Sequence, residues 1–522
     1  MEYPLFPQKN TPEYCLHRKF EIIPGLLTWI TLLGAILISF IAPIFTAILI
    51  ILYDLFWLIK SIIINGHTIV AYRRMKKAVK INWLKKCRKL EQKHGLKFND
   101  IYHLIIIPYY KEGLEILEPS IKSIAQANFP KKRIIISMSG EKRAGKTACQ
   151  RQIILKQKYS RYFKEFLTNI HANKKGEMKI KATNANFAAK KALRYLKKNN
   201  IPQKHVIVSN FDCDTCIHPQ YLAAVAFQFL KSKKRYQQSY QPLPTYNNNI
   251  WDTNAIVRIV AIGSSFWHMI ESTRPERLIT FSSHSMSLKA LIEVGLWKKD
   301  VISEDSAIFW QCFIHYNGDY RAVPLYIPVS MDATLSKTFL KTLINQYKQK
   351  RRWAYGIESF PRIARAFLKN KKIPAKEKIK RVFTILEGHH SWATASFLIL
   401  FLGWLPLIVG GPQFNETVIA HNLPLVTRTI LTIAMIGLVI SLFLSLLLLP
   451  PKPAKYKKTK YIFLLLQWAL VPFVAPLFTL PAIDSQTRLM FKKYFHSFWV
   501  SEKTRKDSEN TDSLNPDDTA IS

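Results

Sequence analysis

Two long apolar blocks near opposite ends of the chain limit its possible folds more than any other feature. One helix crosses the hydrocarbon core of a bilayer with about 20 residues. Residues 24–64 stay apolar over enough length for two such helices, and Ala42-Pro43 marks the break between them. Proline has no N–H with which to continue a helix. The second block holds spans over 391–410 and 423–449. A further apolar stretch, 461–483, carries Pro472, Pro476 and Pro481 and reads as a re-entrant or broken interfacial helix. The N-terminus lacks the short apolar core and small-residue cleavage site of a secretory signal.

Charge orients this scaffold. Residues 411–422 contain no Lys or Arg, whereas 450–460 are rich in Lys. The positive-inside rule puts the first loop outside and the second in the cytoplasm. The basic stretch 73–97 places the central block in the cytoplasm too, beneath the cell (inner) membrane. The chain carries 76 Lys and Arg against 34 Asp and Glu, a net charge of +42. Much of the excess lies at 73–89 and 369–381, where apolar residues intervene. That pattern predicts amphipathic helices on anionic lipids and no nucleic-acid partner. At 48% hydrophobic, the chain is not disordered, and six cysteines spread over 522 residues exclude a disulfide scaffold.

Between the membrane blocks, strands and helices alternate. Residues 104–110, 133–139 and 205–212 are short apolar runs of the kind buried in parallel sheets. Residues 114–128, 147–170 and 187–199 read as the helices between them. Ligands of such sheets gather at the carboxyl ends of the strands.

Four clusters sit at such ends or in the loops after them. Tyr110 and Glu112 follow the first strand, where they suit a nucleobase or a solvated turn. Lys181, Asn184 and Asn186 precede a helix, suiting a diphosphate or simple capping. Asp212 and Asp214 follow the strand 205–212 and suit Mg2+ or Mn2+, which prefer oxygen ligands. Cys213 and Cys216 form a C-x-x-C with no second pair to complete a zinc site. Glu304-Asp305 is followed by Gln349, Arg352 and Trp353, which share one helix face.

In order and type these clusters resemble the membrane-bound, cellulose-synthase-like family 2 glycosyltransferases. The resemblance covers about residues 100–360 and rests most on Gln-x-x-Arg-Trp followed by membrane helices. The segment 498–503 also resembles that family's Phe-x-Val-Thr-x-Lys gating motif, with Ser501 in place of Thr. The resemblance implies an α/β GT-A domain, Rossmann-like with a mostly parallel sheet, in the cytoplasm, together with α-helical transmembrane segments. Tyr110 and Glu112 would contact the base, Lys181 and Asn184 would lie near the diphosphate, and Asp212 would touch the nucleotide. Asp214 would bind the metal, Mg2+ or Mn2+. Asp305 would be the general base of an inverting transfer, and Gln349, Arg352 and Trp353 would line the acceptor and diphosphate site. Glu141 stands near where the family commonly has base-holding aspartates. The implied partners are a nucleotide-sugar donor, a polysaccharide or lipid-linked acceptor and anionic membrane lipids.

Two other readings stay open. Gly140 to Thr147 matches the phosphate-loop pattern G-x-x-x-x-G-K-[ST] after a strand and before a helix, which would suit a membrane ATPase. A catalytically inactive membrane scaffold is the third. The expected layout is a cytoplasmic N-terminus (1–23), two transmembrane helices (24–64), a basic amphipathic segment (65–99), the GT-A domain (100–360), interfacial helices (361–390), a C-terminal transmembrane region (391–483) and a cytoplasmic tail (484–522) with a disordered end. The aromatic, amide-rich stretch 237–277 either lines an acceptor channel or packs on the membrane helices.

Overall fold

The computed structural model describes residues 7–90, 96–495 and 502–505. The outer tail and residues 498–501 of the gating-like segment lie outside the described residues.

The apolar runs become the sheet. The strands are β1 (Tyr102–Pro108), β2 (Ile134–Glu141), β3 (Glu165–His171), β4 (Val206–Asn210), β5 (Cys216–Ile217), β6 (Gln238–Thr245), β7 (Ser285–Ser287) and β8 (Arg321–Ser330). Their order is β3-β2-β1-β4-β7-β6-β8-β5. The first four run parallel, β7 enters antiparallel between β4 and β6, and β8 runs parallel to β6. The sheet is therefore mixed, with its parallel half at the β3-β2-β1-β4 side. β1 is buried on both faces, which is why it reads as an unbroken apolar run. Ile105 and Ile107 pack against the helices Leu114–Ala125, Lys146–Tyr159 and Tyr221–Lys231. Leu104 and Ile106 pack on the other face against Lys181–Lys198 and Glu304–His315.

Five strands, β3, β5, β6, β7 and β8, were not expected, and one of them replaces a predicted helix. The helix predicted over 147–170 stops at Tyr159, and residues 165–171 form β3 at the sheet edge, paired with β2. The Lys- and Gln-rich stretch before it favours helix locally, but only a strand satisfies the open edge of β2.

Among the described residues, five helices are long and apolar enough to cross a membrane: Pro12–Ile41, Pro43–Lys80, Ala375–Val409, Val418–Leu448 and Lys460–Met490. The break falls at Ala42, as the proline predicts. The helix after it continues through Lys80, so residues 65–80 are not a separate amphipathic segment. At about 1.5 Å per residue it is far longer than the hydrocarbon core is thick. Its far end enters the α/β domain, where Arg74 donates to the Tyr326 hydroxyl at 2.6 Å. Trp83 and Cys87 are buried against the helix Tyr221–Lys231. The apolar residues of 73–89 thus face protein where a lipid surface was expected. Arg381 likewise stacks over Phe309 and Phe313, and the helix Phe360–Lys369 is buried against the sheet-face core. Helical packing of the domain therefore extends past residue 360.

Both ends of Lys460–Met490 touch the α/β domain. Lys460 donates to the Trp251 carbonyl at 2.8 Å and Arg258 to Gln467 at 2.8 Å. At the other end, Tyr347 and Arg351 each reach Asp484 at 3.1 Å.

Candidate active site

A cavity of about 860 Å³ opens where β1, β2 and β4 end and reaches the helices long and apolar enough to cross a membrane. Tyr110, Glu112, Glu141, Lys181, Asn184, Asp212, Asp305, Gln349, Arg352 and Trp353 all line it. The local reasons are simple. Tyr110 and Glu112 follow β1, Glu141 ends β2, and Asp212 follows β4. Lys181 and Asp305 sit in the first turns of their helices.

Lys181 organises the centre. Its Nζ lies 2.6 Å from Asp212 Oδ1, 3.1 Å from Asp305 Oδ2 and 3.2 Å from Glu304 Oε1. One ammonium therefore touches the strand-end acid and both acids of the Glu-Asp pair. Burial alone would lower the lysine pKa, but the three carboxylates outweigh it and hold the group well above its ordinary value. Burial would raise Asp212, yet Lys181, Lys503 and a hydrogen bond from Ser282 (2.5 Å) hold it well below the usual range. Glu304 is pushed up to about 8, by burial first and by Asp305 second. Asn210 donates to Asp305 Oδ1 at 3.3 Å.

Asp214 lies behind this cluster, fully buried. Its Oδ2 accepts from the Asp332 N–H at 2.8 Å and from Lys503 Nζ at 2.5 Å. Its Oδ1 is buried with no hydrogen-bond partner. A divalent cation would satisfy that orphaned oxygen. Among the described residues no group of three His, Cys, Asp or Glu side chains could hold a metal. Asp214 does not itself line the cavity, so it would offer a cation one carboxylate oxygen, the rest of the shell coming from water and phosphate oxygens, the habit of Mg2+ and Mn2+. Cys213 is buried, and burial pushes its thiol far up, so it is no thiolate ligand.

The slot beside β1 is aromatic and charged. The Arg143 guanidinium lies 4.0 Å from the Tyr110 ring centroid, and its Nε donates to Glu141 at 2.5 Å. Glu112 Oε2 accepts from the Tyr110 N–H at 2.7 Å. Asn184 departs from the expected role. Its amide donates to the carbonyls of Tyr109 (3.2 Å) and Ser139 (2.8 Å) and accepts from the Ser139 hydroxyl (2.5 Å). It pins the ends of β1 and β2 together, with no donor left over for a diphosphate.

On the helix Phe339–Ala354, Gln349 accepts from Gln346 at 3.1 Å, and Trp353 packs against Tyr246 with ring centroids 6.1 Å apart. Ser264, Trp267, His268 and Glu271 of the stretch 237–277 line the cavity, while Leu243, Ile262, Phe266 and Met269 pack against Ala71, Met75, Leu444 and Trp468 of helices apolar enough to cross a membrane, so the stretch does both. Three residues were missed from sequence. Asp332 is buried and paired with Arg505 at 2.7 Å. Lys350 lines the cavity beside Trp353. Glu358 accepts from the N–H groups of Ile302 (2.7 Å) and Ser303 (3.2 Å), bracing the loop that presents Glu304 and Asp305. For Lys350 a signal existed, its place inside the Gln-x-x-Arg-Trp face; Asp332 and Glu358 gave none.

The phosphate-loop match does not form a phosphate cradle. β2 runs through Gly140, which pairs with Ile170, and a Cβ there would sit 2.7 Å from the Tyr109 hydroxyl oxygen. Lys146 and Thr147 are exposed and away from the cavity lining.

Residues 207–478 match the family model described as glycosyl transferase family group 2. No curated protein sequence matches the chain. Among solved structures, the mannosyltransferase PcManGT from Pyrobaculum calidifontis, in complex with GDP-Man and Mn2+, is similar at 14% identity. That alignment covers 83% of this chain and 100% of PcManGT, with a TM-score of 0.42. S. aureus TarS 1-349 in complex with UDP-GlcNAc is similar at 13% identity over 66% of this chain and 91% of its own, with a TM-score of 0.36.

Proposed function

The chain belongs to glycosyl transferase family group 2, and from that premise we propose that it is a membrane enzyme of the cellulose-synthase-like kind. It transfers a sugar from a nucleotide-sugar donor to a polysaccharide or lipid-linked acceptor with inversion. The observation that carries the reading is the contact of Lys181 with Asp212, Glu304 and Asp305 in one cavity. The excess of Lys and Arg beside the spans supports a cytoplasmic domain on the inner membrane, against anionic lipids.

Each residue then has work that its position supports. The base lies on Tyr110 between Glu112 and Glu141, which accept its N–H groups. The diphosphate draws Lys181 toward it and away from the acids, with Arg352 as a second cation. Asp305 takes the proton of the acceptor hydroxyl as that oxygen attacks the anomeric carbon and the bond to the diphosphate breaks. Asp214 would hold Mg2+ or Mn2+, which supplies positive charge to the departing diphosphate. Gln349 and Trp353 orient the acceptor ring.

The test is release of nucleoside diphosphate by the purified chain with Mn2+ and a panel of nucleotide sugars. Release with one donor, lost in Asp305→Asn, is expected. No release with any donor would favour the inactive scaffold.

A further inference from the structure

Lys350 is a cavity cation that the sugar-transfer chemistry does not use. Its Nζ donates to the Ser264 hydroxyl at 2.8 Å. It lies 4.4 Å from the Trp353 ring centroid and 6.0 Å from that of Phe478. Several other cations of the cavity wall have acids beside them: Lys181 has three, Lys503 has Asp214, Arg143 has Glu141, Arg277 has Glu271 and Arg381 has Glu377. Among the described residues no carboxylate lies within 4.0 Å of Lys350. Burial, with no acid to offset it, pushes the amine down to about 7. Nearby His268 is pushed down to about 3, by burial first and by Lys350 second.

Packing alone does not account for an ammonium here. A methionine would fill the same space against Trp353 without burying a charge. An amine poised near 7 with no acid beside it is a site that an anion completes, by holding it protonated. The surroundings say which kind. Phe478, Trp392 and Ala395 line the same cavity from helices long and apolar enough to cross a membrane. They offer an alkyl chain an apolar wall beside the amine.

We propose that Lys350 is the phosphate site of a lipid-anchored acceptor, on the membrane side of the cavity. The inference rests on the sugar-transfer reading for its meaning, because it names the acceptor as a lipid phosphate. Its physical test needs no donor.

The full chain in neutral-lipid nanodiscs is titrated with farnesyl phosphate, farnesol and inorganic phosphate. Binding is read by calorimetry, and amine labelling of Lys350 by mass spectrometry. Farnesyl phosphate is expected to bind roughly tenfold or more tighter than farnesol and to protect Lys350 from labelling. Lys350→Gln erases the preference and Lys350→Arg keeps it. Equal binding of farnesyl phosphate and farnesol by the native chain overturns the proposal, with no variant required. So does equal binding of farnesyl phosphate by native chain and Lys350→Gln. If inorganic phosphate protects Lys350 as well as farnesyl phosphate does, the site takes free anions and the lipid assignment is wrong. A separate titration with nucleotide sugars isolates the other reading: failure there removes sugar transfer and leaves the phosphate result standing.

Discussion

Replacing Lys181 with Met tests the centre of the site directly. The ammonium lies within 3.2 Å of three carboxylates, all of them largely shielded from water. Methionine keeps the stem and removes the charge. Breaking a buried ion pair from one side costs about 3–5 kcal/mol, because the partners stay behind uncompensated. For a domain of this size each kcal/mol moves the melting temperature by about 2–4 °C, so the fall should be roughly 10 °C at pH 8. The pH dependence has a definite sign. In the native chain Lys181 is held above its ordinary value, so its contribution is complete at both pH 5.5 and pH 8. In the variant Asp212 loses its main opposing charge and its pKa rises. The folded variant then binds protons that the unfolded chain does not, and recovers stability as pH falls. The difference between native chain and variant should therefore shrink at pH 5.5. Differential scanning fluorimetry in detergent at the two pH values measures it. A fall under about 3 °C at pH 8, or an equal fall at both pH values, would refute the argument that one lysine holds these acids together.

Other consequences follow from single contacts. Asp214→Asn removes the charge from the orphaned oxygen, so nucleoside diphosphate release should drop roughly tenfold or more and need more Mn2+; an unchanged Mn2+ titration would exclude Asp214 as the ligand. Glu358 is pushed up to about 7 by burial, so the fold pays for its ionisation as pH climbs from the usual carboxylate range through 7. Glu358→Gln still accepts from Ile302 and Ser303, so it should melt above the native chain at pH 8 and by a smaller margin at pH 5.5; a constant margin counts against the burial argument. Asn184→Ala strips partners from two buried carbonyls and a hydroxyl and should cost about 2 kcal/mol; a neutral melting temperature would show that β1 and β2 do not need the pin. Lys146→Ala should leave nucleoside diphosphate release unchanged, and its loss would revive the phosphate-loop reading.

Much of the site was legible because its residues are marked by what precedes them. Tyr110, Glu112, Asp212 and Asp214 each follow an apolar strand, and Lys181 opens a helix. Gln349, Arg352 and Trp353 declare their common face by helical spacing. Asn184 was legible in place but not in role, since a carboxamide at a helix start serves backbone or ligand equally well from sequence. Asp332 and Glu358 carry no local mark. Their importance comes from partners far along the chain: Asp214 and Arg505 for one, Ile302 and Ser303 for the other.

The sequence by itself determined whatever is set by neighbours along the chain. Apolar length fixed which segments can span a membrane, Pro43 fixed where the first pair breaks, and apolar runs fixed β1, β2 and β4. Only the tertiary structure decided what is set by distance in space. The edge of β2 made a strand of 165–171, and the sheet order brought residue 181 to residues 212, 304 and 305. Packing set the contacts of both ends of Lys460–Met490 with the domain and left Lys350 without an acid within 4.0 Å among the described residues. Helix breaking and apolar length act over a few residues, whereas the pairing of buried charges depends on which strands lie side by side.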